Sequence, residues 1–337
     1  MKRVPKFAVL TLSAMLALSG CGMTSDPLPG TIGEDGQPAA VSTQDYVPAE
    51  VVKPKDGKKV KIGASFPLLD QFLQNVANSI KERAEAAGAE VSITSAEEKI
   101  EIQLNQIENF IASGVDALIV LPQDTATTAQ ITQKAKAANI PLVYVNRRPS
   151  ELPKGVPYVG SDSLVAGQLE MEQLAKLSNH QGNVAILQGD PTQEAAQQRT
   201  KGCEEVAAKY NMKVVFNQTG LWARDKGLAL AENLIQSGQQ VDVICANNDE
   251  MALGAINAFE NAGMLDKVVV GGVDATGDAL NAMAAGKLEV TVFQDAKGQG
   301  QAGVDTAIKM VNGDEVPDVI NVPYQLVTPE NMSQFQQ

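Results

Sequence analysis

From Val60 onward the chain alternates between short apolar runs and longer stretches whose apolar residues recur every three or four positions. The short runs predict strands over Val60 to Phe66, Glu90 to Thr94, Ala117 to Leu121, Leu142 to Val145, Val184 to Leu187, Val214 to Asn217, Val243 to Ala246, Val268 to Val273 and Val290 to Phe293. The periodic stretches predict helices over Phe72 to Ala87, Ile100 to Ser113, Thr125 to Ala138, Leu164 to Leu177, Ala195 to Tyr210, Asp225 to Ser237, Glu250 to Ala262, Gly277 to Ala285 and Gly298 to Val311. In the second of these, Ile100, Leu104, Ile107 and Ile111 step by four, three and four, which places them on one face. Gly88, Gly114, Gly263, Gly286 and Gly313 follow five of the helices, where a left-handed residue ends a helix. Repeated strand–helix units require parallel sheets with helices on both faces, an α/β fold of the doubly wound kind.

Composition changes this picture in one respect. A chain of 337 residues is too long for one compact core, and the strands outnumber those of a single domain this size, so two sheets are expected with a boundary near Gly160 to Ser163. Hydrophobic residues make up 44% and aromatics only 4%, so both cores must be built from Ala, Val, Ile and Leu, as in sheets buried on two faces.

The first 59 residues break the pattern. Lys2, Arg3 and Lys6 precede an apolar run from Phe7 to Leu18, too short to span a membrane, which ends in Leu18-Ser19-Gly20-Cys21. This is a secretion signal over residues 1–20, and its end resembles the lipobox of bacterial lipoproteins, which implies lipidation at Cys21 and a membrane-anchored protein of the cell envelope, in the periplasm. Residues 21–59 then carry Pro27, Pro29, Pro38, Pro48 and Pro54 among small and acidic residues without a period, and read as a disordered tether. The formal charge is −13, and loss of the basic signal makes the chain more acidic still, which excludes nucleic acid as a partner. Cys203 and Cys245 fall on a helix and a strand, and read as two separate buried thiols, with a pairing left open. His180 is the only histidine and sits in a polar loop, so neither a metal site nor a Ser-His-Asp mechanism has its parts, and no cofactor motif opens any strand–helix unit.

Candidate chemistry concentrates in Cys245-Ala246-Asn247-Asn248-Asp249-Glu250-Met251-Ala252-Leu253-Gly254, a strand, a polar turn and a helix start. Asn248 or Asp249 can cap the helix, and the turn faces the carboxyl end of the strand, where open α/β sheets bind ligands. Together with Val270-Gly271-Gly272-Val273-Asp274-Ala275, the stretch resembles the sugar-binding proteins of ABC importers, the ribose, glucose/galactose and inositol branch of the type I periplasmic binding proteins, over Val60 to Val327.

The resemblance implies two lobes, residues 60–160 with 295–322 and residues 161–294 with 323–337. They are joined by three crossovers near Ser161, Gln294 and Pro323 and close on the ligand by a hinge. Residue by residue it implies ligand contacts from Asp70, Phe72, Asn146 and Arg147 in the first lobe and from Arg199, Trp222, Asn248, Asp274 and Gln294 in the second. Phe72 and Trp222 suit the C–H faces of a sugar ring, while carboxylates and guanidinium groups suit its hydroxyls. Either aromatic could instead be core, and one of Arg147 and Arg148 is expected on the solvated surface. The turn Asn179-His180-Gln181-Gly182 is too short for the calcium loop of galactose binders, and Tyr144-Val145-Asn146-Arg147-Arg148-Pro149 resembles inositol-binding relatives. The expected function is therefore that of a monomeric binding protein, not an enzyme, which delivers a monosaccharide or cyclic polyol to an ABC permease. The alternative is a sugar-sensing input protein for a chemoreceptor or sensor kinase. Asp70 and Asp274 as a glycosidase pair would come from separate hinged lobes and be poorly preorganised.

Overall fold

A computed structural model describes residues 42–125 and 128–335. The secretion signal, Cys21, the first part of the expected tether and the first turn of the helix expected from Thr125 lie wholly or partly outside these residues. Among the described residues, the chain forms two parallel sheets and one small antiparallel pair.

The first sheet contains β2 (Lys61–Phe66), β3 (Glu90–Ser95), β4 (Ala117–Val120), β5 (Leu142–Val145) and β6 (Tyr158–Gly160). Two later partners are β12 (Val319–Asn321) and β1 (Thr43–Asp45), and the order is β1-β12-β6-β5-β4-β2-β3, every pair parallel. Helices α1 (Gln71–Ala87), α2 (Ile100–Ala112), α3 (Thr128–Ala137) and α9 (Ala296–Val311) cover it. Strands β4 and β5 are buried along their whole length, which is why they read as unbroken apolar runs rather than alternating ones. Helix α1 buries Phe72, Leu73, Val76, Ala77, Ile80, Ala84 and Ala87, a single face at helical spacing, and stops at Gly88 with φ +76°.

The second sheet has the order β10-β9-β7-β8, again all parallel, from β7 (Asn183–Gln188), β8 (Lys213–Thr219), β9 (Val243–Ala246) and β10 (Val269–Gly271). It packs against α4 (Ser163–Leu177), α5 (Glu194–Lys209), α6 (Arg224–Gln236), α7 (Asp249–Asn261) and α8 (Gly277–Ala284). The antiparallel pair joins β11 (Thr291–Phe293) to β13 (Gln325–Val327) beside this sheet. The chain therefore passes between the two sheets after β6, after β11 and after β12, and α9 returns to pack on α1 and the first sheet.

Two expectations need correction. The reading of residues 21–59 as a tether fails from Ser42 onward: β1 adds to the sheet edge beside β12, and Tyr46, Val51 and Val52 pack on the first core. Arg83, ion-paired to Asp305 at 2.6 Å, donates to the carbonyls of Ala49 and Glu50, so an aperiodic segment is fixed through its backbone and leaves no pattern in its side chains. The second correction concerns the cysteines: α5 packs across the second sheet, which brings Cys203 against Cys245 on β9 as a disulfide, not two thiols.

Candidate functional site

The loops at the carboxyl ends of the strands of the two sheets face each other across a cleft holding about 440 Å³ of empty space, mouth included. Asp70, Phe72, Asn146, Arg147, Arg199, Trp222, Asn248, Asp274 and Gln294 all line it, together with Leu73, Gln193 and Ala195. Each polar wall residue is placed by a local device that the sequence dictates.

On the first lobe, Asp70 caps α1: its Oδ1 accepts from the Leu73 N–H at 2.7 Å, which aims the carboxylate along the helix start and into the cleft. Burial pushes the Asp70 carboxyl above the usual carboxylate range, although the Leu73 bond and the charge of Arg147 pull the other way. Asn146 directly follows β5 with φ +63°, a conformation that Asn tolerates better than most residues, and its Nδ2 donates to Gln299 at 3.0 Å. Gln299 donates in turn to Ser161 at 3.1 Å on the first crossover, so Asn146 is tied to the hinge. Arg147 is buried, and its guanidinium donates to the Pro122 carbonyl at 3.4 Å. Burial pulls its pKa down to about 10 even with Asp70, Asp190 and Glu98 acting to raise it. Arg148 is buried as well, over the Tyr158 ring at 6.0 Å, so neither arginine is the solvated surface residue expected from the sequence.

The second lobe is built around Arg199. Nη1 donates to the Asn247 carbonyl at 2.7 Å, and Nη2 donates to Gln294 Oε1 at 2.6 Å and to the Tyr324 hydroxyl at 2.8 Å. Asp274 Oδ1 lies 3.8 Å from Nη1, and the Trp222 and Tyr324 rings lie 5.6 and 5.7 Å from the guanidinium carbon. Burial opposes this charge, yet Tyr324 and Asp274 hold the Arg199 pKa above its ordinary value. Gly167 on α4 explains how α5 sits so low: a Cβ there would meet the Arg199 carbonyl oxygen at 2.1 Å. Asp274 is pushed well above the carboxylate range by burial, against the pull of Arg199.

Asn248 caps α7 by accepting from the Met251 N–H at 3.1 Å, and its Nδ2 donates to the Trp222 carbonyl at 3.1 Å. The other candidate cap, Asp249, points inward instead, accepting from the Thr276 N–H and the Thr291 hydroxyl at 2.8 and 2.7 Å. Trp222 follows Leu221 with both residues at positive φ, +51° and +67°. That strained pair is held by Asn248, by the Trp222 Nε1–H bond to Gln193 at 3.0 Å, and by Gly189, where any Cβ would meet the indole at 2.3 Å. Asn146, Trp222 and Asp274, at φ +124°, put three positive-φ residues on one cleft, where strain is expected if the wall is shaped for a ligand.

Reasoning from the sequence missed Gln193 and Tyr324. Gln193 stands between the Asp190-Pro191 turn and Arg199, a segment already marked by its turn chemistry, but a glutamine there carries no signal of its own.

Comparison with known proteins decides the class. A periplasmic binding protein domain model matches residues 62–315. The chain belongs to the periplasmic binding protein family. This binding protein is 42% identical, over 82% of its length and 92% of the relative's, to a Rhizobium meliloti protein named for rhizopine binding. It is 30% identical over 83% and 92% to the ribose import binding protein of Bacillus subtilis. Among solved structures, an ABC transporter solute binding protein from Bacillus halodurans C-125 with bound myo-inositol is 42% identical, with a TM-score of 0.80, covering 84% of this binding protein and 99% of the other chain. Membership implies a periplasmic location, and no helix among the described residues is long and apolar enough to cross a membrane.

Proposed function

We propose that this binding protein captures a cyclic polyol of the inositol kind, or failing that a monosaccharide, between residues 60–160 with 295–322 on one side and residues 161–294 with 323–337 on the other. It acts as a monomer, without catalysis, and delivers its ligand to an ABC permease while anchored through the lipidated Cys21. The observation that carries the reading is the cleft itself: two aromatic side chains, two guanidinium groups and two carboxylates from opposing loops line one small cavity. In it, Phe72 and Trp222 cover C–H faces. Asp70 and Asp274 accept from hydroxyls, and Arg147 and Asn248 donate to hydroxyl oxygens.

Bonds in which one partner is ionised, as from the Arg147 guanidinium, contribute on the order of 1.5–3 kcal/mol each, and a missing hydroxyl leaves a buried group unpaired at similar cost, which is how one polyol is told from another. The likeness to the myo-inositol-bound structure supports an inositol ahead of ribose. Closure on a ligand that touches both walls is a population shift drawn from the differential contacts of the closed form. A thermal-shift screen over pentoses, hexoses and inositols, followed by calorimetry on the hits, tests the reading. We expect an inositol to give the largest stabilisation, and a pentose giving more would overturn the inositol assignment.

A further inference from the structure

We propose that Gln193 is a positioning residue that clasps the closed cleft, tying the Trp222 wall on one lobe to the backbone of the other and so setting how long the ligand is held. The proposal rests on the binding function above and adds a residue and a role to it.

Gln193 occupies the N-cap position of α5, yet its side chain makes no capping bond. Freed from that task and buried, it reaches sideways with both ends of its amide engaged. Oε1 accepts from the Trp222 indole at 3.0 Å, while Nε2 donates to Asp190 Oδ2 at 3.2 Å and to the Gln123 carbonyl at 3.4 Å. Gln123 follows β4 and belongs to the first lobe, so the last of these bonds crosses the cleft. A second bond crosses beside it, from the Thr125 hydroxyl to the Thr192 carbonyl at 3.1 Å.

Both ends of the clasp are stiff. On the first lobe, the Gln123 N–H donates to Gln103, whose own amide holds the Leu121 carbonyl at 2.9 Å. On the second, Thr192 donates through its N–H and its hydroxyl to Asp190 at 2.9 and 2.7 Å, fixing the turn that carries Gln193. A rigid pair of bonds between lobes exists only when the lobes are together. Their free energy therefore enters the closed state alone, and it appears in the dissociation rate more than in encounter. Because the same glutamine fixes the indole N–H, closure and the placing of the aromatic wall become one event.

The chain has a single tryptophan, so its emission reports the clasp directly. Stopped-flow release of myo-inositol, followed by Trp222 fluorescence, is measured in the wild type, Thr125→Val and Gln193→Leu, with the unfolding midpoint of each ligand-free protein as the folding control. Thr125→Val removes one crossing bond without touching Trp222. It should speed release about three- to tenfold, the range of one neutral hydrogen bond, with the emission maximum of the loaded protein unmoved. Gln193→Leu should speed release at least as much and also shift that maximum, because the indole loses its acceptor. The double variant should fall short of the product of the two single effects, as partners in one clasp do. Release within twofold of wild type in both single variants overturns the clasp, and if Gln193→Leu does not fold, Thr125→Val alone decides. A wild type that binds no inositol, hexose or pentose sinks the clasp together with the function on which it rests, an outcome distinct from binding that survives both variants unchanged.

Discussion

Arg147 and Arg199 face the same cleft from opposite lobes, both buried, and their protonation equilibria are displaced in opposite directions. Arg199 is surrounded by protein acceptors at 2.6 to 2.8 Å, with Asp274 close by and two aromatic rings over it. Arg147 donates at 3.4 Å to one backbone carbonyl, and its charge is sustained at a distance by Asp70, Asp190 and Glu98. Both terminal nitrogens of Arg199 are therefore engaged by the protein before any ligand arrives, with only its Nε left without a partner, whereas Arg147 holds a desolvated charge whose best partners are the oxygens of a ligand. A closing cleft uses both kinds of wall: a preorganised one to set specificity, and an unsatisfied one to make closure depend on the ligand.

The largest effect expected from this difference is on stability. Arg199→Met strips partners from the Asn247 carbonyl, Gln294, Tyr324 and Asp274 together, and leaving one half of such a buried set behind costs about 3–5 kcal/mol. Urea unfolding should show a loss of that size, with polyol binding gone. A loss under 1 kcal/mol would remove Arg199 from the centre of its wall.

Arg147→Met should do the reverse to the free protein. A pKa lowered from 12.5 to about 10 means that the folded state holds this proton less readily than the unfolded state, a cost on the order of 3 kcal/mol at neutral pH. Its removal should leave the ligand-free stability unchanged or raise it by about 1–3 kcal/mol, while calorimetry shows affinity falling at least tenfold. Destabilisation on the scale of Arg199→Met would erase the comparison.

Both arginines were legible in the sequence through the resemblance, and most of the frame was legible because strands such as β4 and β5 are fully buried runs and helices such as α1 have clear apolar faces. The nine residues named from the sequence all line one cavity. What decides how they act was not legible. Strands β1, β6, β12 and β13 have three residues each, too few for a period of two to register, and Tyr324 lies just ahead of the last of them. The interlobe bonds of Thr125 and Gln193 join residues 67 and 70 positions apart, and neither residue type announces a clasp. The docking of residues 42–59 and the Cys203–Cys245 disulfide depend likewise on packing between distant elements, which spacing alone does not fix.

Asp70 shares Arg147's wall and predicts an effect of middle size. Asn can cap α1 as well as Asp, so Asp70→Asn keeps the helix start and removes only the charge. The folded protein raises the Asp70 pKa, so the ionised form is a burden on the ligand-free protein above that pKa and none below it. The variant should therefore be slightly more stable than wild type at pH 7 and equal to it below about pH 3.5, where both side chains are neutral. Its affinity should drop about tenfold at pH 7. An affinity loss with no such gain in stability would mean that Asp70 is already satisfied by the protein, as the terminal nitrogens of Arg199 are.

Glu194 applies the same test, with the smallest effect, to a carboxyl near the hinge end of the cleft. Burial lifts its pKa from 4.5 to about 7, against the charges of Arg148 and Arg199 and a bond from Ser163. Between pH 4.5 and pH 7 the folded protein thus binds a proton that the unfolded chain has released, and stability falls as pH rises through that window. Asp249, raised by burial to about 7 in the same way, contributes in the same direction, so the wild-type slope alone does not isolate Glu194. Glu194→Gln does isolate it. The side chain is partly exposed, so the displacement is discounted to about 1–2 kcal/mol. The variant should exceed wild type by that amount at pH 7.5 and match it at pH 4, with urea midpoints at the two values giving the difference of differences. A variant less stable than wild type at pH 7.5 would show that Arg148 holds this carboxylate firmly, and that the first wall is more finished than its geometry suggests.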